Sequence, residues 1–209
     1  MKKNFLLLAT AALLFAGCEQ TQKAKESNPA TSKPSEASKD MSATMDKAKV
    51  ARTEREKSSD TLALPYKELE QYLPASVAGY TPGELTGQSQ QSTGMSMSTA
   101  GCTYTKGPGE DIEVSLVDYK GATSIYQDAV TMMGMGIKGE DDEQITGPTA
   151  VKADGVKGLD TFHKKEERAE MVLAVGGRFL LTLNAGKQKD MALLKSVAES
   201  MDLGKLAKL

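Results

Sequence analysis

The chain has 209 residues, 39% of them hydrophobic, with 28 acids against 26 Lys and Arg, a single His and a net charge of -2. So small an imbalance, with both signs interspersed, excludes the basic footprint of a nucleic-acid binder, and no nucleic-acid partner is expected. Trp is absent and Cys18 and Cys102 are the two cysteines, so a core has to be built from Leu, Val, Ile, Met and Ala.

Lys2 and Lys3 stand ahead of an apolar run from Phe5 to Ala16 that closes in small residues, the layout of a secretory signal peptide. The run is too short to span a bilayer and leads into a polar tail. Phe15-Ala16-Gly17-Cys18 resembles the lipobox of bacterial lipoproteins, with Phe15 where that family prefers Leu. The resemblance implies a signal peptide over residues 1–17, cleavage after Gly17, a diacylglycerol thioether on Cys18, and acylation of the new amino terminus by palmitate or a similar fatty acid. Two or three chains make release from the membrane negligible. Glu19 occupies the position where an Asp retains such lipoproteins in the inner membrane, so the implied address is the outer membrane, facing the periplasm. With Cys18 acylated, Cys102 has no partner for an intramolecular disulfide.

Residues 18–60 are Lys, Glu, Ser, Ala, Thr and Gln with almost no aliphatic side chains, and Pro29 and Pro34 break them further. They cannot bury enough apolar surface to offset their ordering entropy, so an acylated Cys and a disordered linker are expected here, with a coil span of about 35 Å. Residues 41–57 are rich in helix formers, but Met41, Met45 and Val50 are too sparse for a packing stripe. A globular domain is expected over residues 61–209.

Within it, residues 65–74 read as a short helix opened by Pro65 and stopped by Pro74, with Leu69, Tyr72 and Leu73 on one face. Strand signals are weak at residues 83–91 and stronger at 95–105 and 112–119. In the latter run Ile112, Val114, Leu116 and Asp118 share a face. Lys106-Gly107-Pro108-Gly109 joins the two runs as a turn. A helix follows at residues 122–135, its stripe formed by Ala122, Ile125, Tyr126, Ala129, Met132 and Met133. Glu140 to Glu143 make an exposed acidic turn, and strands are predicted at 144–152 and 156–166.

The clearest local signal is the pair of β-rich runs at 170–175 and 178–183 flanking Gly176-Gly177, which predicts a two-residue turn with positive φ at both glycines. That register sets Val175 opposite Arg178 and Leu173 opposite Leu180, with Val172, Ala174, Phe179, Leu181 and Leu183 on one side and Met171, Leu173, Val175 and Leu180 on the other. Both sides are apolar, so a central, covered hairpin is expected. A last helix at 189–203 presents Met191, Leu194, Val197, Ala198 and Met201, with Gly204 after its end.

Candidate site residues are few. Met95, Met97, Met132, Met133 and Met135, with Cys102 and His163, are soft or borderline ligands of the kind that select Cu(I). No Met-x-x-Met or His-x-His spacing accompanies them, and Met132 and Met133 fall on an apolar stripe where Met is a common gap filler, so no metal or cofactor is expected. Cys102 lacks a basic neighbour that would lower a thiol pKa, and reads as buried and inert. Gly-x-Ser-x-Gly, His-Glu-x-x-His and phosphate-cradling loops are absent, which argues against catalysis.

The order of elements implies an α+β domain: a mostly antiparallel sheet with helices packed on its faces, preceded by the signal peptide and disordered tether. Residues 158–203 loosely resemble PsbP-like lipoprotein domains, a meander of long strands followed by an amphipathic helix; the resemblance implies a fold and no functional residues. The expectation is a membrane-anchored, non-catalytic envelope lipoprotein acting as an accessory or binding module for an envelope protein partner, with a periplasmic Cu(I) or small-ligand carrier as the alternative. The first predicts an exposed apolar patch near Tyr119, Tyr126 or the Met95 to Met97 strand.

Overall fold

The computed structural model describes residues 61–93, 95–131, 133 and 137–209, together with Asp46, Val50, Thr53 and Glu54, which are helical. The signal peptide over residues 1–17, Cys18, nearly all of the tether over residues 18–60, and Met132 and Met135 lie outside the described residues.

The domain is built on one antiparallel sheet of nine strands. A helix α1 (Tyr66–Leu69), continued by a 3-10 turn (Glu70–Tyr72), leads into β1 (Thr81–Pro82), β2 (Thr86–Ser92), β3 (Met95–Gly107) and β4 (Glu110–Asp118). Helix α2 (Thr123–Thr131) then precedes the meander β5 (Gly139–Glu140), β6 (Gln144–Pro148), β7 (Val156–His163), β8 (Arg168–Val175) and β9 (Phe179–Ala185), and the chain closes with α3 (Ala192–Ser200) and α4 (Leu203–Leu206). The spatial order is β1-β3-β4-β9-β8-β7-β6-β5, with β2 beside β1 on the same edge of β3. Every neighbouring pair but one follows in sequence or nearly so; the exception sets β9 against β4 and closes the meander onto the first hairpin.

Period-two alternation explains which face is buried. Ala100 and Tyr104 of β3, Ile112 and Leu116 of β4, Met171, Leu173 and Val175 of β8, and Phe179, Leu181 and Leu183 of β9 are each fully buried on one face. Leu69 and Leu73 from the α1 segment, Leu194, Val197 and Ala198 of α3, and Leu203 and Leu206 of α4 pack onto that same cluster. Each such Val, Leu, Ile, Met or Phe side chain contributes about 1.5–3 kcal/mol by leaving water. Among the described residues the opposite face is covered near its middle, where Tyr126, Val130 and Met133 sit on Ala174, Val172, Leu159 and Leu180.

The strands expected at 144–152 and 156–166 stop earlier, at Pro148 and His163, and four further details differ from the sequence reading. Residues 86–92 form a regular strand although all seven side chains are exposed; with no face to bury, they carry no alternation to read. The buried line runs through Ala122, just ahead of α2, then Tyr126 and Val130 within it, with the buried Met133 beyond its end, while Ile125 points to solvent at 44% exposure, because the helix meets the sheet along its i, i+4, i+8 line. Gly204 lies inside α4 instead of following a single long helix, and the Asp202 side chain caps that extra turn by accepting from the Lys205 N–H at 3.0 Å.

The fourth concerns the β8–β9 hairpin. Gly176 and Gly177 do take φ of 61° and 67°, and the Arg178 N–H donates to the Val175 carbonyl at 3.2 Å, so the predicted turn forms. The ladder, however, pairs Val175 with Phe179 and Leu173 with Leu181. Arg178 is an extra residue just ahead of β9, a bulge in the connection, and its carbonyl accepts from the Tyr119 N–H at 3.0 Å. One residue of slip moves each side chain to the other face. Met171, Leu173, Val175, Phe179, Leu181 and Leu183 therefore share the core face, and Val172, Ala174 and Leu180 share the α2 face. The bulge sets the buried Arg178 guanidinium against Asp118, with Nε–Oδ1 at 2.8 Å and Nη2–Oδ2 at 2.5 Å.

Candidate functional site

The described members of the soft-ligand set, Met95, Met97, Met133, Cys102 and His163, do not come together. Met95 and Met97 alternate with the buried Ser96 and Ser98, so they lie on the outer face of β3, while Cys102 lies on the core face beside Ala100 and Tyr104. The Cys102 thiol is buried, within 3.7 Å of the Gly83 carbonyl oxygen. Met133 is buried under α2. His163 ends β7, which β4, β9 and β8 separate from β3, a distance of about 19 Å at the usual strand spacing. Among the described residues no group of three or more His, Cys, Asp or Glu side chains could hold a metal ion.

The aromatic patch expected at Tyr119 and Tyr126 is not a surface either. Tyr126 is buried and Tyr119 half-buried, their ring centroids 6.0 Å apart and tilted by 53°. The pair pins α2 to the sheet, and burial raises the Tyr119 phenol above its usual pKa. Met95 is exposed, but the other large exposed apolar residues of the domain include Leu62, Leu85, Ile125, Ile137 and Ile145, which belong to different segments.

What the outer face does form is a half-open cleft of about 500 Å³ where β5 to β8 meet Ile137. Leu159 and Ile137 make its apolar wall, and Thr146, Thr161, His163, Glu170, Glu140 and Asp141 its polar one. Alternation accounts for this set: Thr161 and His163 are two apart on β7, and Glu170 stands directly opposite Thr161. His163 Nε2 is buried without a hydrogen-bond partner among the described residues, 3.7 Å from Glu170 Oε2. The Glu170 carboxylate instead accepts from Arg168 Nη1 at 3.2 Å. Glu140 is engaged by Lys164 at 2.9 Å. The Asp141 carboxylate, exposed, is held below its ordinary pKa by the N–H groups of Gln144 and Glu143, both at 2.8 Å.

These contacts make the cleft a binding shape: a wall of aliphatic carbon, an imidazole nitrogen with no hydrogen-bond partner among the described residues, and carboxylates already engaged by Lys, Arg or backbone N–H groups. The two hydroxyls in it, Thr146 and Thr161, face each other at 3.3 Å. His163 could be found in the sequence as the single histidine. The cleft could not, since it depends on Ile137 and β5 folding back beside β6, and nothing in the local pattern signals a two-residue strand.

Comparison of the chain with protein-family models, with curated proteins and with solved structures finds no match.

Proposed function

We propose that this chain is a membrane-anchored envelope lipoprotein whose sheet domain serves as a non-catalytic binding or accessory module. The observation that carries the reading is the juxtaposition of Lys2-Lys3, a short apolar run and Phe15-Ala16-Gly17-Cys18, which is the chemistry required for signal-peptide cleavage and thioether acylation at Cys18. An outer-membrane, periplasm-facing position follows from Glu19 at the sorting position. The domain supports a binding role through its half-open cleft beside His163 and Glu170 and through a sheet face that α2 covers only in part.

Radiolabelled palmitate fed to expressing cells should enter the wild-type protein and not the Cys18→Ala form, and membrane fractionation should release the mutant. An unmodified residue 18 by mass spectrometry, or a product found wholly in the cytosol, would overturn the proposal. A pull-down from detergent-solubilised envelope, with Cys18→Ala as the control, then asks which protein the anchored domain holds.

A further inference from the structure

Antiparallel sheets guard their edges, because a row of free N–H and C=O groups templates another strand. Most of this sheet's outer segments carry a recognised guard. β1 is two residues long and contains Pro82; β5 is two residues long, and Glu140 in it is tied to Lys164 at 2.9 Å. β6 ends at Pro148 and begins beside the acidic run of residues 140–143.

β2 carries none. Its sequence Thr-Gly-Gln-Ser-Gln-Gln-Ser has no charge and no Pro, all seven residues are exposed, and its register with β3 runs from Thr86 opposite Gly101 to Ser92 opposite Met95 without a bulge. The geometry also shows which main-chain groups point away from β3. Ser96 exchanges both of its main-chain hydrogen bonds with Gly121, at 3.3 and 3.0 Å, so it is the odd-numbered residues of β3 that bond to β2. Their partners are Thr86, Gln88, Gln90 and Ser92. Hydrogen-bonded and non-bonded pairs alternate in an antiparallel ladder, which leaves Gly87, Ser89 and Gln91 directing their N–H and C=O groups outward.

We propose that β2 is a self-pairing edge, and that two copies of this chain join antiparallel along Thr86–Ser92 about a two-fold axis at Ser89. An isologous interface needs a patch that complements itself. Here Ser89 meets Ser89 of the second copy and Gly87 meets Gln91, making about six main-chain hydrogen bonds. Between them Gln88 falls opposite Gln90 on the outer face, so an amide donor meets an amide acceptor at both places. The lack of charge is what selects a second copy over an unrelated basic or acidic strand: nothing on the edge rewards a charged partner, and nothing repels an identical one.

The test uses the full-length chain in detergent, followed by sedimentation velocity over a concentration series. Wild type should show a monomer–dimer equilibrium. Gln88→Lys/Gln90→Lys sets Lys against Lys at both cross-strand positions, and Gln88→Glu/Gln90→Glu does the same with Glu, so each alone should dimerise about tenfold more weakly or not at all. Mixed in equal amounts the two variants should recover a heterodimer. Gln91→Pro, which removes one outward N–H from an exposed edge position, should also yield monomer while leaving the far-ultraviolet circular dichroism spectrum unchanged. A wild type that stays monomeric up to about 100 μM, a range in which even weak specific dimers populate, would overturn the proposal. So would a dimer indifferent to the charge pairs, or one the mixture fails to restore.

Discussion

Replacing Arg178 by Met is the most direct test of how this domain is held together. The Arg178 side chain is 2% exposed and that of Asp118 is fully buried. The carboxylate receives Arg178 through Nε and Nη2 at 2.8 and 2.5 Å, the Leu64 N–H at 2.8 Å and the Lys120 N–H at 2.9 Å. Methionine fills much of the same volume but leaves a buried carboxylate with two N–H donors and no countercharge. Stranding one partner of a buried pair costs about 3–5 kcal/mol, far more than the net worth of the intact pair. For a domain of this size that corresponds to a fall in Tm of roughly 6–20 °C. Arg178→Lys, which keeps the charge and loses the planar fork, should fall between the two. Because the chain has no Trp, urea and thermal unfolding are best followed by circular dichroism. A loss below about 1 kcal/mol, or equal losses for Met and Lys, would refute the claim that the charge itself is what must be matched.

Two further outcomes follow from the same geometry. With Leu181 on the core face and Thr182 on the other, Leu181→Ala should cost about 2–5 kcal/mol in urea unfolding and Thr182→Ala less than about 1 kcal/mol; similar costs would mean the register is not the bulged one. Burial raises the Asp160 carboxyl above 3.8, against hydrogen bonds from Thr149 and the Ala150 N–H that act to lower it. The stability it contributes is therefore present below pH 3.8 and lost as pH climbs through the raised folded-state value, so Asp160→Asn should flatten that part of a stability-against-pH curve, and an unchanged curve would count against the burial effect.

Much of the fold was legible because most of its elements obey one period. The helix at 66–72, the two inner hairpins and α3 each present a face that water excludes, and their side chains announce it at spacings of two or of three to four. Legibility failed where that link is missing. β2 buries nothing, so its seven polar residues look like a loop. The hairpin register failed for a different reason: Gly176-Gly177 correctly specifies the turn, but the slip is decided by Asp118, sixty positions away in sequence, and local pattern cannot report a partner so distant. The cleft was invisible because its walls come from β5 to β8 and from Ile137, while only His163 among its residues stands out by type.

The position of Asp118 has a mechanical consequence. The segment that leads into α1 is stitched to the middle of the sheet by Leu64 on Asp118 and by Ala63 on the Ser96 hydroxyl at 2.9 Å. A pull on the chain ahead of Leu62 is thus borne first by the inner strands β3 and β4, not by a peripheral strand that could be peeled away one bond at a time. Tension would have to rupture several bonds together before the body began to unravel.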